Sequence, residues 1–167
     1  MKILRSPLLL AALSALVLLV LSATARPKPF RIASPASADA EPWSASQTIS
    51  SAEFAKEIQA NRGPSLKIIY VGVRTLYSSA HIPGSSFHGS GSTAQGIADL
   101  KKFAATLPKD ANIVIYCGCC PLDRCPNLRP AFSALRELGF TNLRVLLLPT
   151  SFAADWIEKG YPVEKGS

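Results

Sequence analysis

The 167-residue chain is poor in the residues that usually advertise a site: two histidines, two tryptophans, one methionine and four cysteines. No cysteine lies outside positions 117 to 125. A structural zinc centre is usually read from two separated ligand pairs, and this chain has no second pair. Runs of positive charge are also missing. Lys101-Lys102 is the only adjacent basic pair between Trp43 and Ser167, where 13 basic residues stand against 9 acidic ones. That scatter excludes a nucleic-acid stripe, and the mild positive balance suits a small anion no better than it suits an ordinary soluble surface.

What the chain does have begins at its N-terminus. Lys2 and Arg5 precede a nearly uncharged apolar run, and Ala23-Thr24-Ala25 stands at its end as an A-x-A site. The pattern is that of a signal peptide over residues 1–25. The apolar run from Pro7 to Ala23 has 17 residues, at the lower limit for a membrane-spanning helix, so an uncleaved anchor is the alternative. Either way the remainder is expected outside the cytoplasm, periplasmic or extracellular, where disulfides are permitted. Residues 26–42, RPKPFRIASPASADAEP, are rich in Pro, Ala and Ser without apolar periodicity and read as a flexible tether. Residues 43–167 then have the size of one domain with one core.

Within that domain, Thr48-Ile49-Ser50 predicts a short edge segment. Ser50 or Ser51 with Glu53 in the first turn predicts a helix ending near Gly63. Lys67–Val73 reads as a buried strand, residues 74–92 as a loop with Pro83-Gly84 as its turn, and Gln95–Leu107 as a helix by its apolar spacing. Ile113–Tyr116 is a second buried strand, Asn127–Leu138 a helix closed by Gly139, Leu143–Leu148 a third strand, and Ser151–Lys159 a last helix capped by Ser151. Strands apolar on both faces, alternating with helices, argue a mainly parallel sheet covered on both sides. Sites in such sheets form at the carboxyl ends of strands.

The segment YCGCCPLDRCP, Tyr116 to Pro126, occupies such an end. A thiolate at Cys117 would gain from turn amides and the following helix dipole. Gly118 permits the tight turn, Pro121 and Pro126 restrict the loop, and Arg124 offers a donor fork for an oxyanion. A metal reading takes Cys117 and Cys120 as a C-x-x-C pair, with Cys125 and His81 or His88, and favours a soft ion such as Cu(I). Disulfide exchange uses the same C-x-x-C at a strand-to-helix junction. A thioredoxin fold is not expected, since it needs a further hairpin and helix after Leu148-Pro149-Thr150, where 17 residues stand. A staple alone would gain little from closing so short a loop.

Six segments in order resemble the rhodanese-like sulfurtransferase domain: Val71-Gly72-Val73-Arg74, Ala80-His81-Ile82-Pro83-Gly84-Ser85, Ile113 to Cys117, Gly139-Phe140-Thr141-Asn142, Ala154-Asp155-Trp156 and Gly160-Tyr161-Pro162-Val163. The resemblance covers about residues 48 to 165 and implies a three-layer α/β/α fold around a sheet of about five strands. It also implies persulfide chemistry without a cofactor or a metal. Cys117, or Cys119 in its place, takes sulfane sulfur from a small sulfur-containing anion such as thiosulfate and passes it to a thiol or a cyanide-like acceptor. The active loop is then Gly118, Cys119, Cys120, Pro121, Leu122, Asp123, Arg124 and Cys125. Cys119, Cys120 and Cys125 are candidate resolving thiols, and Arg74 and His81 stand near the substrate. No nucleic acid is implied as a partner, and a membrane only if the signal stays uncleaved. A non-catalytic module whose CxCC cluster binds a soft metal or cycles between thiol and disulfide is the other reading.

Three departures stand out against that family. Gly72 replaces its usual Asp, Pro149-Thr150 its Gly-Gly pair, and the Arg expected five positions after the cysteine is Leu122, with Arg124 further on. The related phosphatases use Cys-x5-Arg. Here Cys117-x6-Arg124 is longer still, whereas Cys119-x4-Arg124 restores the short spacing.

Overall fold

A computed structural model describes residues 41–60 and 65–166 of the chain. The expected signal peptide, residues 26–40 of the expected tether, and Gly63 lie outside them. At the other end of the expected tether, Glu41 pairs with Arg129.

Strand β1 (Thr48–Ser50) runs straight into α1 (Ser51–Gln59). Ser50 is the cap: its Oγ accepts from Glu53 N–H at 3.3 Å, and its own N–H donates back to the Glu53 carboxylate at 3.2 Å. Strand β2 (Leu66–Tyr70) stops at Tyr70, short of the expected Val73. The region expected as loop holds two elements, α2 (Arg74–Ser79) and β3 (Ser85–Phe87). Neither carries a local signal. Val73 at the start of α2 has no capping side chain, and β3 is three half-buried residues. β3 exists because Ser85 and Phe87 pair with Ile68 and Tyr70 of β2, a tertiary event that periodicity cannot report.

The chain continues through α3 (Ala94–Ala104), β4 (Asn112–Tyr116), α4 (Leu128–Glu137) and β5 (Leu143–Leu147). The last expected helix is instead one π-helical turn, Ala153–Ile157. Ser151 does cap it, accepting from Ala154 N–H at 3.1 Å. Asp155 accepts from the N–H groups of Thr150 and Ser151 and so holds the Pro149-Thr150 corner. Among the described residues no helix is long and apolar enough to cross a membrane.

All five strands are parallel, in the order β1-β5-β4-β2-β3. Side chains alternate across a strand, so β4 serves two cores. Ile113 and Ile115 join Leu100, Phe132 and Leu135 of α3 and α4 on one face. Val114 and Tyr116 join Phe54, Tyr77 and Trp156 on the other. The result is the three-layer α/β/α arrangement expected from the sequence.

Candidate active site

The alternation along β4 continues for one more residue and decides where its first cysteine points. Cys117 falls on the α4 face with Ile113 and Ile115, and is 1 % exposed. Gly118 follows with φ +75°, and a Cβ there would stand 2.7 Å from Phe152 backbone and side-chain atoms. Only glycine fits this turn, which reverses the chain and swings Cys119 and Cys120 back over Cys117.

The four sulfurs, all free thiols, form a chain. Cys117 Sγ is 3.2 Å from Cys119 Sγ, which is 3.3 Å from Cys120 Sγ. The Sγ atoms of Cys117, Cys119 and Cys125 all lie within 4.8 Å of one another. Asn127, 2 % exposed at the start of α4, is the hub of this cluster. Its Nδ2 donates to Cys117 Sγ and Cys119 Sγ, both at 3.5 Å, while its Oδ1 accepts from Ser90 Oγ and Ser92 N–H. One side chain therefore ties the loop before α3 to the sulfurs.

Cys117, the cysteine at the strand end, is not the one whose thiol is lowered. Its thiol is pushed up, first by its hydrogen bond to Cys125 and then by burial. Cys125 is brought down to about 5, first by that same contact with Cys117, and also by the amides of Asn127 and Leu128 at the start of α4. The helix N-terminus thus acts on Cys125, eight residues later than expected. Cys120 is pushed up to about 12 by burial and by its contact with Cys119.

Three of the loop amides are already engaged by backbone carbonyls. Those of Leu122, Arg124 and Cys125 are bound to the carbonyls of Pro149, Pro121 and Leu122. The turn Leu122–Arg124 carries Asp123 and Arg124 outward, each side chain 78 % exposed and facing the other at 4.0 Å. Arg124 therefore points to solvent, beside Asp123.

The other expected side chains lie apart from the sulfurs. Arg74 caps the Phe87 ring at 4.5 Å. His81 stacks on Tyr77, bonds the Tyr77 carbonyl through Nδ1 at 2.8 Å, and has Nε2 3.8 Å from Glu164. His88 stacks on Phe103 and bonds Ser86. The four-ligand set with a histidine is not assembled; among the described residues the group close enough to share an ion is Cys117, Cys119 and Cys125.

On the opposite face from α4, a pocket of about 270 Å³ opens beside Gly118 and Cys119, between α2 and the π-helical turn. A larger hollow of about 680 Å³ lies at the amino ends of β4 and β5, beside the Glu57–Arg144 ion pair. Sites in parallel sheets form at carboxyl ends, and the cysteines are there, so the smaller pocket is the relevant one. Tyr70 lines it, 2 % exposed, and its hydroxyl has no hydrogen-bond partner. Val73 N–H exerts a weak pull on that oxygen without completing a bond. Gly72 is the reason the ring fits: a Cβ there would lie 2.4 Å from Tyr70 Oη and 2.9 Å from Cys117 Sγ. The glycine that departs from the family pattern is thus paired with a tyrosine under the cysteine loop. Tyr70 and Asn127 were not singled out from the sequence. A buried-strand tyrosine before Val71-Gly72, and an asparagine two residues after the last cysteine, were the signals available.

No family model matches the chain, and no curated protein matches it. Solved structures do. The rhodanese-like domain of the Anabaena protein Alr3790, in solution, is 23 % identical with a TM-score of 0.53, covering 71 % of this chain and 79 % of that one. A crystal structure of Alr3790 gives 23 % and 0.54, over 70 % and 82 %. The BH2092 protein of Bacillus halodurans gives 20 % and 0.56, over 72 % and 77 %. The chain has the rhodanese-like fold, a parallel five-stranded sheet between helices.

Proposed function

We propose that the protein is a sulfurtransferase or persulfide carrier that works outside the cytoplasm, with Cys119 as the thiol that meets the donor. The observation carrying this reading is the pocket at the carboxyl end of the sheet, which opens on Cys119 while Cys117 is 1 % exposed behind it. The Cys119 thiol first gives its proton to water in the open pocket, since Cys125, lowered to about 5 and within 4.8 Å, is too weak a base to take it. The Cys119 thiolate attacks the outer sulfur of the donor, the sulfur–leaving-group bond breaks with its electron pair, and Cys119 carries a persulfide. A nucleophilic acceptor then takes the outer sulfur and regenerates the thiolate. Alternatively, Cys117 at 3.2 Å attacks the inner sulfur, releases hydrogen sulfide and forms a Cys117–Cys119 disulfide, which an external thiol reductant reopens.

Loading with a sulfane donor followed by peptide mass mapping tests this, with a gain of about 32 Da expected on Cys119. Sulfur transfer to cyanide is expected to fall at least ~100-fold in Cys119→Ser and less than ~3-fold in Cys120→Ser. Full activity in Cys119→Ser with none in Cys117→Ser returns the attack to Cys117. Absence of loading and transfer in the unsubstituted protein sinks the reading.

The three sulfurs within 4.8 Å favour a second reading, a soft-metal site on Cys117, Cys119 and Cys125. Sulfurs around one ion at about 2.3 Å stand roughly 4 Å apart, which the cluster nearly meets. Elemental analysis with thiol counting separates the two: stoichiometric copper without sulfur transfer supports this one.

A further inference from the structure

The pocket beside Cys119 carries information about the donor that the cysteines do not. Its walls away from the loop are Leu76, Ser79 and Ala80 on the α2 side, Ser151, Phe152, Ala153 and Ile157 on the other, and Tyr70. No charged side chain among the described residues lines it. Leu76 and Ile157, 45 % and 41 % exposed, are among the few large apolar residues open to solvent. Scattered exposed apolar side chains are ordinary, but these two stand on either side of a concavity that leads to a sulfur. The cations that would compensate an inorganic dianion are elsewhere: Arg124 faces solvent, and Arg74 is held on Phe87. Moving a dianion such as thiosulfate into this pocket would strip its water without replacing it by positive charge. The polar groups that remain are the hydroxyls of Ser79, Ser151 and Tyr70, the last with no hydrogen-bond partner among the described residues, and they suit a donor that carries at most one charge and enters protonated at its outer sulfur.

We propose that this pocket binds the apolar body of a small organic persulfide, R–S–SH with R an aliphatic or aromatic group, and that this is the sulfur donor. The proposal rests on the sulfur-transfer reading and replaces its expected anionic donor. The volume of about 270 Å³ is just below the usual small-molecule range of about 300–1,000 Å³, enough for a group of benzyl size. The step balances without a further reactant: the Cys119 thiolate bonds the outer sulfur, the S–S bond of the donor breaks, and the leaving R–S⁻ takes the electron pair. Tyr70 Oη–H donates a hydrogen bond to sulfur in the bound donor, a contact that the protein alone leaves unmade. Burial pushes the Tyr70 phenol up, so it stays a donor across the working pH range.

The test uses the full chain and two readouts. In the first, kcat/KM for transfer to cyanide is compared between benzyl persulfide, released in situ, and thiosulfate. The expected ratio favours the benzyl donor at least ~10-fold. It is expected to fall at least ~10-fold in Leu76→Asp, which puts charge on the rim, and in Ala153→Leu, which fills the pocket. Both side chains are exposed, so both variants should fold. In the second readout, binding of the unreactive thioether benzyl methyl sulfide is followed by titration and is expected to be lost in the same two variants. Thiosulfate used as well as the benzyl donor, with no thioether binding, overturns this proposal and leaves sulfur transfer standing. Thioether binding without transfer from any donor overturns both.

Discussion

Tyr70→Phe removes a single oxygen, and the structure argues that the protein becomes more stable for losing it. The residue is 2 % exposed, and its hydroxyl has no hydrogen-bond partner. Taking such a group out of water without replacing its hydrogen bonds costs about 1–3 kcal/mol. The phenyl ring keeps its neighbours, with centroids 5.1 Å from Tyr116, 5.6 Å from Tyr77 and 6.2 Å from Phe87. The space left by one oxygen is too small to offset much of that gain. The expected outcome is a stabilisation of about 1 kcal/mol, or about 4 °C in Tm for a domain of this size. Urea unfolding in reducing buffer, followed by the fluorescence of Trp43 and Trp156, measures it; the midpoint should rise by about 0.5 M at an m-value near 2 kcal/mol/M. Transfer from an organic persulfide should slow at the same time, since the hydroxyl is retained for a bound sulfur. A loss of about 1 kcal/mol or more would refute the reasoning, because it would mean the hydroxyl has a partner in the folded protein.

Arg124→Ala should change the rate of transfer less than ~2-fold, because the side chain is 78 % exposed and turned toward Asp123; a loss of ~100-fold in a steady-state assay would return Arg124 to the donor site. Gly72→Ala should destabilise by about 1–3 kcal/mol in urea unfolding, since the new methyl would press on Tyr70 and Cys117 in a closed core. Thiolate absorbance near 240 nm should persist from neutral pH down to about pH 5 and be missing in Cys125→Ser. The folded thiol lies below its unfolded value, so its contribution to stability is complete above about pH 9 and lost as pH falls through about 5. A single absorbance step between pH 8 and 9 would contradict this.

The fold was legible where local chemistry and burial agree. From Ile113 to Tyr116, β4 is continuous β-branched and apolar sequence, and it is buried on both faces. Ser50 and Glu53 advertised the first helix by their spacing, and the box forms. α2 and β3 were invisible because a six-residue helix without a cap and a three-residue strand exist only through what they touch. Gly72 was legible as a departure and Tyr70 was not, since only packing brings the tyrosine hydroxyl and Cys117 to the same point.

The sequence by itself determined that Cys117 ends a buried strand of a parallel α/β sheet, because hydrophobic period and turn residues are local properties. It also determined that the cysteines share one loop, because all four fall within nine positions, Cys117 to Cys125. Which thiol is lowered, which one is open and which side chains line the pocket were decided only in three dimensions. Side-chain alternation turned Cys117 inward, the amides at the start of α4 reached Cys125, and Gly118 turned Cys119 toward an uncharged wall assembled from α2 and the last turn. Charge and access depend on distances between segments far apart in the chain, and those distances come into being only when the chain folds.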